Sequence, residues 1–257
     1  GLNFLTTCKA WLNYTQQNQV LEFYSFDKYI FQLNDFKKFI SSSPELKKYS
    51  AEFIKSYPKN IEGIQKISLF EGRVSLNLVI GDLTETQEYI KSMTHIDAWF
   101  LDGFSPPKNP DLWSKELINT IGNSCYESST FSTYTSSGLV KRNLIDSNFT
   151  VYKTKGFSGK RHMLQGNSLS KISSKGPYAK KVAVIGSGIT GCILSYLLAQ
   201  KGIEVDLYEQ SESICSGASS HELLVTYPRL SAYDTAYGRF NLLSYLYATN
   251  FYKNLKT

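Results

Sequence analysis

Cysteine, histidine and long apolar runs are all in short supply in this chain of 257 residues. The four cysteines, Cys8, Cys125, Cys192 and Cys215, make no CxxC pair, so neither a disulfide framework nor a thiolate zinc site is expected. His95, His162 and His221 are scattered and suggest no ligand cluster, so no metal is expected. No run approaches the ~20 apolar residues that a membrane span needs. The opening GLNFLTTCKAW lacks the basic head of a signal peptide. These absences lead us to expect a reduced, cytoplasmic chain with no membrane segment. What is present is core material: 42% hydrophobic and 14% aromatic residues exclude a disordered chain. At roughly 100–200 residues per domain, the length allows one large domain or two smaller ones.

Acid is missing from one long stretch. Between Ser147 and Ile203 there is no Asp or Glu, while Lys153, Lys155, Lys160, Arg161, Lys171, Lys175, Lys180, Lys181 and Lys201 supply nine positive charges. The whole chain carries +6, so the remainder is slightly acidic. Clustered Lys and Arg attract phosphates, so a polyanionic partner and a merely solvated, lysine-rich linker both fit this segment.

Helical and strand patterns alternate along most of the chain. Leu5 to Tyr14 reads as a helix and Val20 to Phe26 as a strand. Asn34 to Tyr57 reads as two helical stretches parted by the turn-prone SSSP. Ile64 to Ile80 reads as a hairpin around Glu71-Gly72, and IDAWFL (Ile96 to Leu101) as a short buried strand. A helix is expected after NPDLW, a strand at Thr130 to Thr135, a helix at Ser137 to Ile145 and a strand at Phe149 to Lys155. Such alternation predicts an α/β fold with a mostly parallel sheet and an antiparallel portion near its end. Residues 167–180 (NSLSKISSKGPYAK) break the pattern and read as an interdomain linker.

A second α/β unit opens at Lys181. In KVAVIGSGITGCILSYLLAQKGIEVDLYEQ an apolar strand leads into Gly186-x-Gly188-x-x-Gly191, then a helix and a strand ending at Glu209. Gly186 permits the tight turn, Gly188 lets a pyrophosphate approach the backbone, and Gly191 lets helix pack on strand. The helix N-terminus carries unpaired N–H groups and partial positive charge, which suit phosphates. Glu209 lies where a carboxylate accepts ribose hydroxyls. The following SESICSGASS resembles the phosphate-approaching stretch of FAD-dependent amine oxidases of the glycine-oxidase type, which favours FAD over NAD.

The first unit resembles a class I S-adenosylmethionine methyltransferase entered within its first glycine loop. By that resemblance Gly1 and Asn3 belong to the donor loop, Asp27 binds the donor's ribose, and Gly81-Asp82 approaches the adenine. Read from the residues alone, Asp27 also suits a helix cap and Gly81-Asp82 an ordinary turn. The more specific stretch is DAWFLDGFSPPKNPDLW, Asp97 to Trp113. Together with STYTSSGLVKRNL, KGFSGKRHML and the FAD motif, it makes the chain resemble the MnmC family of bifunctional tRNA wobble-uridine enzymes over nearly its whole length.

That resemblance implies a Rossmann-like methyltransferase domain missing its first strand (1–166), a linker (167–180) and the start of a Rossmann-type FAD-binding domain (181–257). The chain would then be an internal fragment of a longer polypeptide. It implies FAD-dependent removal of the carboxymethyl group from 5-carboxymethylaminomethyl-2-thiouridine in tRNA. Methylation of the exposed amine by S-adenosylmethionine follows. Asp102 would orient or deprotonate that amine; its structural reading is a bond to the backbone of the Pro-rich loop. Phe104, Pro106, Lys108 and Asn109 would wall the base site. Arg142, Lys160 and Arg161 would meet tRNA phosphates, while Trp99 and Trp113 read as core. Two other classes remain: a flavin amine oxidase fused to an unrelated domain, and a non-catalytic tRNA-binding fragment. The chain departs from the family pattern at Asp27 (usually Glu), Ser158 (Gly), His162 (Glu), His221 (Asn) and Leu224 (Gly).

Overall fold

Helix α1 (Leu2–Tyr14) buries Phe4, Leu5 and Cys8, a spacing that puts all three on one face. In the computed structural model, which describes residues 1–156, 159–172 and 179–255, that face meets a sheet of three strands. These are β1 (Leu21–Asp27), β2 (Gly63–Leu69) and β3 (Val74–Ile80), in the order β1-β3-β2. Helices α2 (Leu33–Ser41) and α3 (Lys47–Lys55) are parted by a tight turn at Pro44–Leu46 and add Phe36, Ile40 and Phe53 to the same core. The hairpin expected at Glu71-Gly72 is present, with Phe70, Glu71 and Gly72 all at positive φ. Strand β3 is buried at every position, as a central strand covered on both faces should be.

Helix α4 (Leu83–Lys91) leads to a second sheet built from β4 (Ile96–Leu101), β5 (Cys125–Thr133), β6 (Phe149–Lys155) and β7 (His162–Ser168). Its order is β4-β5-β7-β6. Helices α5 (Lys115–Asn123) and α6 (Gly138–Asp146) cover it, joining Leu117, Ile118, Val140 and Leu144 to Phe131, Phe149 and Leu164. Only β4–β5 is parallel here; β5–β7 and β6–β7 are antiparallel. Antiparallel pairing is therefore more extensive than the alternation of elements led us to expect. No ladder joins β1 to β4 among the described residues. Those edge strands meet through stacked rings instead, Phe23 with Phe100 and Phe26 with Trp99, at centroid distances of 6.4 and 6.2 Å. IDAWFL is accordingly not the buried strand expected: Asp97, Ala98 and Phe100 are exposed because this edge lacks a paired neighbour.

The chain forms two compact units, Gly1–Ile172 with Pro228–Thr257, and Ser173–Tyr227. The second holds parallel strands β8 (Lys181–Ile185) and β9 (Glu204–Tyr208) and helix α7 (Ile189–Gln200). Helix α8 (Ala236–Asn254) belongs by contact to the first unit, where it packs on β2. Of the linker expected at 167–180, residues 173–178 lie outside the described residues, as does Ser158.

Candidate functional site

In the first unit β1 ends in Asp27, Asp82 lies two residues past β3 and Asp102 directly follows β4. Parallel pairing sets Asp27 opposite Ile80, and the Gly81 N–H donates to the Asp27 carbonyl at 3.2 Å, which brings Gly81-Asp82 beside Asp27. The carboxyl ends of parallel strands are where open α/β sheets bind ligands. Helix α1 points its N-terminus at this edge, starting from Gly1 as its cap with no acid in its first turn. From that turn, Asn3 Nδ2 donates to Asp102 Oδ2 at 2.8 Å. The dipole end and the Asn amide both favour negative charge there.

Asp27 does not cap the following helix: Gln32 is the N-cap of α2, with no side-chain cap hydrogen bond. The Asp27 carboxylate instead accepts from Ser25 Oγ at 3.1 Å. Burial pushes its pKa above the usual carboxylate range, and the like charge of Asp102 adds to the rise against the Ser25 hydrogen bond. Asp102 is exposed and bonded to Asn3. A cleft of about 450 Å³ lined by Lys28, Ile80, Tyr233 and Arg239 lies nearby, and neither Asp27, Asp82 nor Asp102 lines it.

The other predicted residues surround Asp102 unevenly. Phe104 is 75% exposed, and its carbonyl is held by Trp113 Nε1 at 2.7 Å. Lys108 and Asn109 form a turn through N–H bonds to the Ser105 carbonyl, so the Pro106 loop is fixed from inside. Trp113 is buried and Trp99 half-buried. Sequence reasoning missed Tyr134, just past β5. Its ring meets Trp113 edge-on, carries Lys160 Nζ 3.8 Å above its centroid, and has a pKa raised by burial and then by Asp102. Lys160 is thereby tied to the Asp102 rim. Lys108, Arg142 and Arg161 are exposed, and no contact draws them to Asp102.

The second unit builds a nucleotide turn. Gly186 has φ +93°, its N–H donates to the Tyr208 carbonyl at 2.8 Å, and the space beside it is open. A Cβ on Gly191 would lie 1.8 Å from the Gly186 carbonyl oxygen, so only glycine fits. Gly188 caps α7. Glu209 Oε2 accepts from the Ser187 N–H at 2.8 Å and Ser187 Oγ at 2.6 Å, and Oε1 accepts from the Ser211 N–H at 3.0 Å. The Ser187 and backbone bonds pull its pKa down to about 2. Ser219 Oγ accepts from the Ile189 N–H at 3.1 Å, at the N-terminus of α7, the end of a helix that suits an anion. Sequence reasoning passed over Ser219 singly, although it falls within SESICSGASS. Lys181 is paired with Glu204 and Asp206, at 2.7 and 3.0 Å.

Residues 44–168 match the family described as S-adenosyl-L-methionine-dependent methyltransferase, and residues 181–255 match FAD dependent oxidoreductase. On this α/β fold a stretch matching methyltransferases thus precedes one matching the opening of flavin oxidoreductases. The chain is 33% identical, over 99% of its length, to the tRNA 5-methylaminomethyl-2-thiouridine biosynthesis bifunctional protein MnmC of Legionella pneumophila (strain Corby). It is 36% identical to that of Pseudoalteromonas translucida and 35% to that of Marinomonas sp., again over 99% of its length. The chain is similar to these MnmC proteins and spans about two fifths of their length, 40 to 42%. MNMC2 from Aquifex aeolicus, a solved structure, aligns with 61% of this chain and 46% of its own at TM-score 0.43 and 22% identity.

Proposed function

We propose that the polypeptide carrying this chain finishes a wobble uridine of tRNA in two steps; the MnmC relatives are named as bifunctional proteins of tRNA 5-methylaminomethyl-2-thiouridine biosynthesis. The flavin half removes the carboxymethyl group from 5-carboxymethylaminomethyl-2-thiouridine. The methyltransferase half then methylates the resulting 5-aminomethyl group. The reading is carried by Asp102, a solvent-open carboxylate at a strand terminus, held by Asn3 beside Asp27.

S-adenosylmethionine supplies an electrophilic methyl group and FAD an acceptor for the electrons of the C–N oxidation. The residues present fit both. Asp27 and Asp82 place carboxylates for a nucleoside at the ends of β1 and β3. The Gly186–Gly191 turn and α7 suit a pyrophosphate. In methyl transfer the amine must present a lone pair; Asp102 accepts its proton and Asn3 holds the carboxylate in place. Phe104 and the turn over 105–109 present a wall already ordered by internal bonds, so little is lost in ordering it when a flipped base docks. Lys160, parked on Tyr134, supplies positive charge for a tRNA phosphate at the rim. Arg142 and Arg161 extend that charge, and the place of action is the cytoplasm.

The test is methylation of undermodified tRNA, read by nucleoside mass spectrometry on the full-length polypeptide. The wild type should yield 5-methylaminomethyl-2-thiouridine, and Asp102→Asn should lower the methylation rate by about 10²–10⁴-fold. Unchanged turnover in Asp102→Asn would remove Asp102 from the mechanism, and absence of any methylated product would remove the reaction.

A further inference from the structure

Cys192 and Cys215 are 23 residues apart in sequence, yet their Sγ atoms lie 3.6 Å apart in the second unit. Both are partly accessible and both are free thiols. Their placement is fixed from one buried residue, Ser187, in the nucleotide turn. Cys192 Sγ donates to the Ser187 carbonyl at 3.1 Å. The Cys215 N–H donates to the same carbonyl at 3.1 Å and approaches Ser187 Oγ at 3.2 Å. Cys215 sits at φ +55°, a left-handed conformation uncommon for a residue with a Cβ and held here by those bonds. The other two thiols, Cys8 and Cys125, are buried in separate cores, and burial pushes them up to about 12 and about 11.

We propose that Cys192 and Cys215 are an oxidation-sensitive dithiol that closes to an intramolecular disulfide in the presence of a peroxide, fastening the 211–217 loop to the start of α7. The chemistry balances with peroxide as the oxidant. One thiolate attacks a peroxide oxygen: an S–O bond forms, the O–O bond breaks and hydroxide leaves. The second thiolate then displaces hydroxide from that sulfur, forming S–S and breaking S–O. The two thiol protons end in two waters, and two electrons pass from sulfur to oxygen. A disulfide has S–S near ~2.05 Å, so the sulfurs must approach by roughly 1.5 Å, a shift that side-chain rotation supplies on an exposed loop. Around Cys192, burial foremost, then Cys215 and the Glu209 carboxylate resist thiolate formation, so closure accelerates with alkaline pH. This proposal stands apart from the tRNA chemistry above.

The test is mass spectrometry of the native chain after treatment with hydrogen peroxide at pH 7 and pH 9, alkylation and non-reducing digestion. Expected is one linked pair of peptides joining Cys192 to Cys215, two hydrogens lighter than the reduced pair, formed several-fold faster at pH 9 and reversed by dithiothreitol. Cys8 and Cys125 should be alkylated only after denaturation. In Cys192→Ser and Cys215→Ser the remaining thiol should be trapped by dimedone as a sulfenic acid, with no link. Amides of residues 211–217 should exchange at least about threefold more slowly in the oxidised wild type. Separate dimedone adducts on both cysteines of the wild type, links only between chains, or two thiols surviving peroxide would each overturn the proposal.

Discussion

At Gly191 a single methyl group is enough to test the nucleotide turn. Its Cβ would meet the Gly186 carbonyl oxygen at 1.8 Å, and a backbone atom cannot swing aside as a side chain does. Gly191→Ala should therefore weaken FAD binding at least tenfold, read by flavin fluorescence titration, while methyl-donor binding is unchanged. Glu209 makes a second residue-scale prediction. Its folded pKa lies near 2, below the ordinary 4.5, so the carboxylate stabilises the folded state fully above pH 4.5. That contribution is lost as pH falls through the folded value. The protection factors of the Ser187 and Ser211 amides, measured against the intrinsic exchange rate at each pH, should fall between pH 4.5 and pH 2, and Glu209→Gln should already lower them at pH 7. The turn from Gly186 to Gly191 was legible as local structure because strand, turn, helix and acid follow each other in register. Tyr134 was not, because its meeting with Lys160, 26 positions away, depends on how β5 and the loop before β7 return to one end of the sheet.

Among the elements, those with a clean period could be read and those with small inward residues could not. The β2–β3 hairpin announced itself through RVSLNLVI and Glu71-Gly72. Strand β7 did not: its buried positions are Leu164, Gly166 and Ser168, so no apolar alternation shows. Gly166 is small for a reason, since a Cβ there would meet the Thr150 carbonyl oxygen at 1.7 Å and Phe131 at 2.6 Å. Helices α4 and α8 carried no start or stop signal strong enough to read. The α8–β2 contact offers a test of its own. Gly63 has φ +119°, and a Cβ would lie 2.6 Å from Leu243 Cδ1, next to an Arg239–Glu62 ion pair at 2.6 Å. Gly63→Val should destabilise the first unit by about 2 kcal/mol in urea melts, from backbone strain and partial overlap with a side chain that can give. A change under roughly 0.5 kcal/mol would overturn both the positive φ at Gly63 and its close approach to α8.

For the whole molecule, the order of the two units was legible while their physical extent was not. The oxidoreductase family match runs over residues 181–255, yet Pro228–Thr257 packs with the methyltransferase unit. Sequence motifs mark ancestry and chemistry; which surface an amphipathic helix covers is decided by packing at long range. A chain ended at Ile172 keeps every methyltransferase motif but uncovers β2. Its thermal midpoint should fall by several degrees in calorimetry, on the scale of burying one Leu-sized side chain. An unchanged midpoint would show that the helix adds no cover. The stacked rings between β1 and β4 have a further consequence. Asp27 rides on one sheet and Asp102 on the other, and no backbone amide spans the gap between them among the described residues. The spacing of the two carboxylates is thus governed by phenyl and indole contacts and by the Asn3 tether, a coupling softer than a β-ladder, so the pocket's width can adjust to its occupant without breaking a single strand pairing.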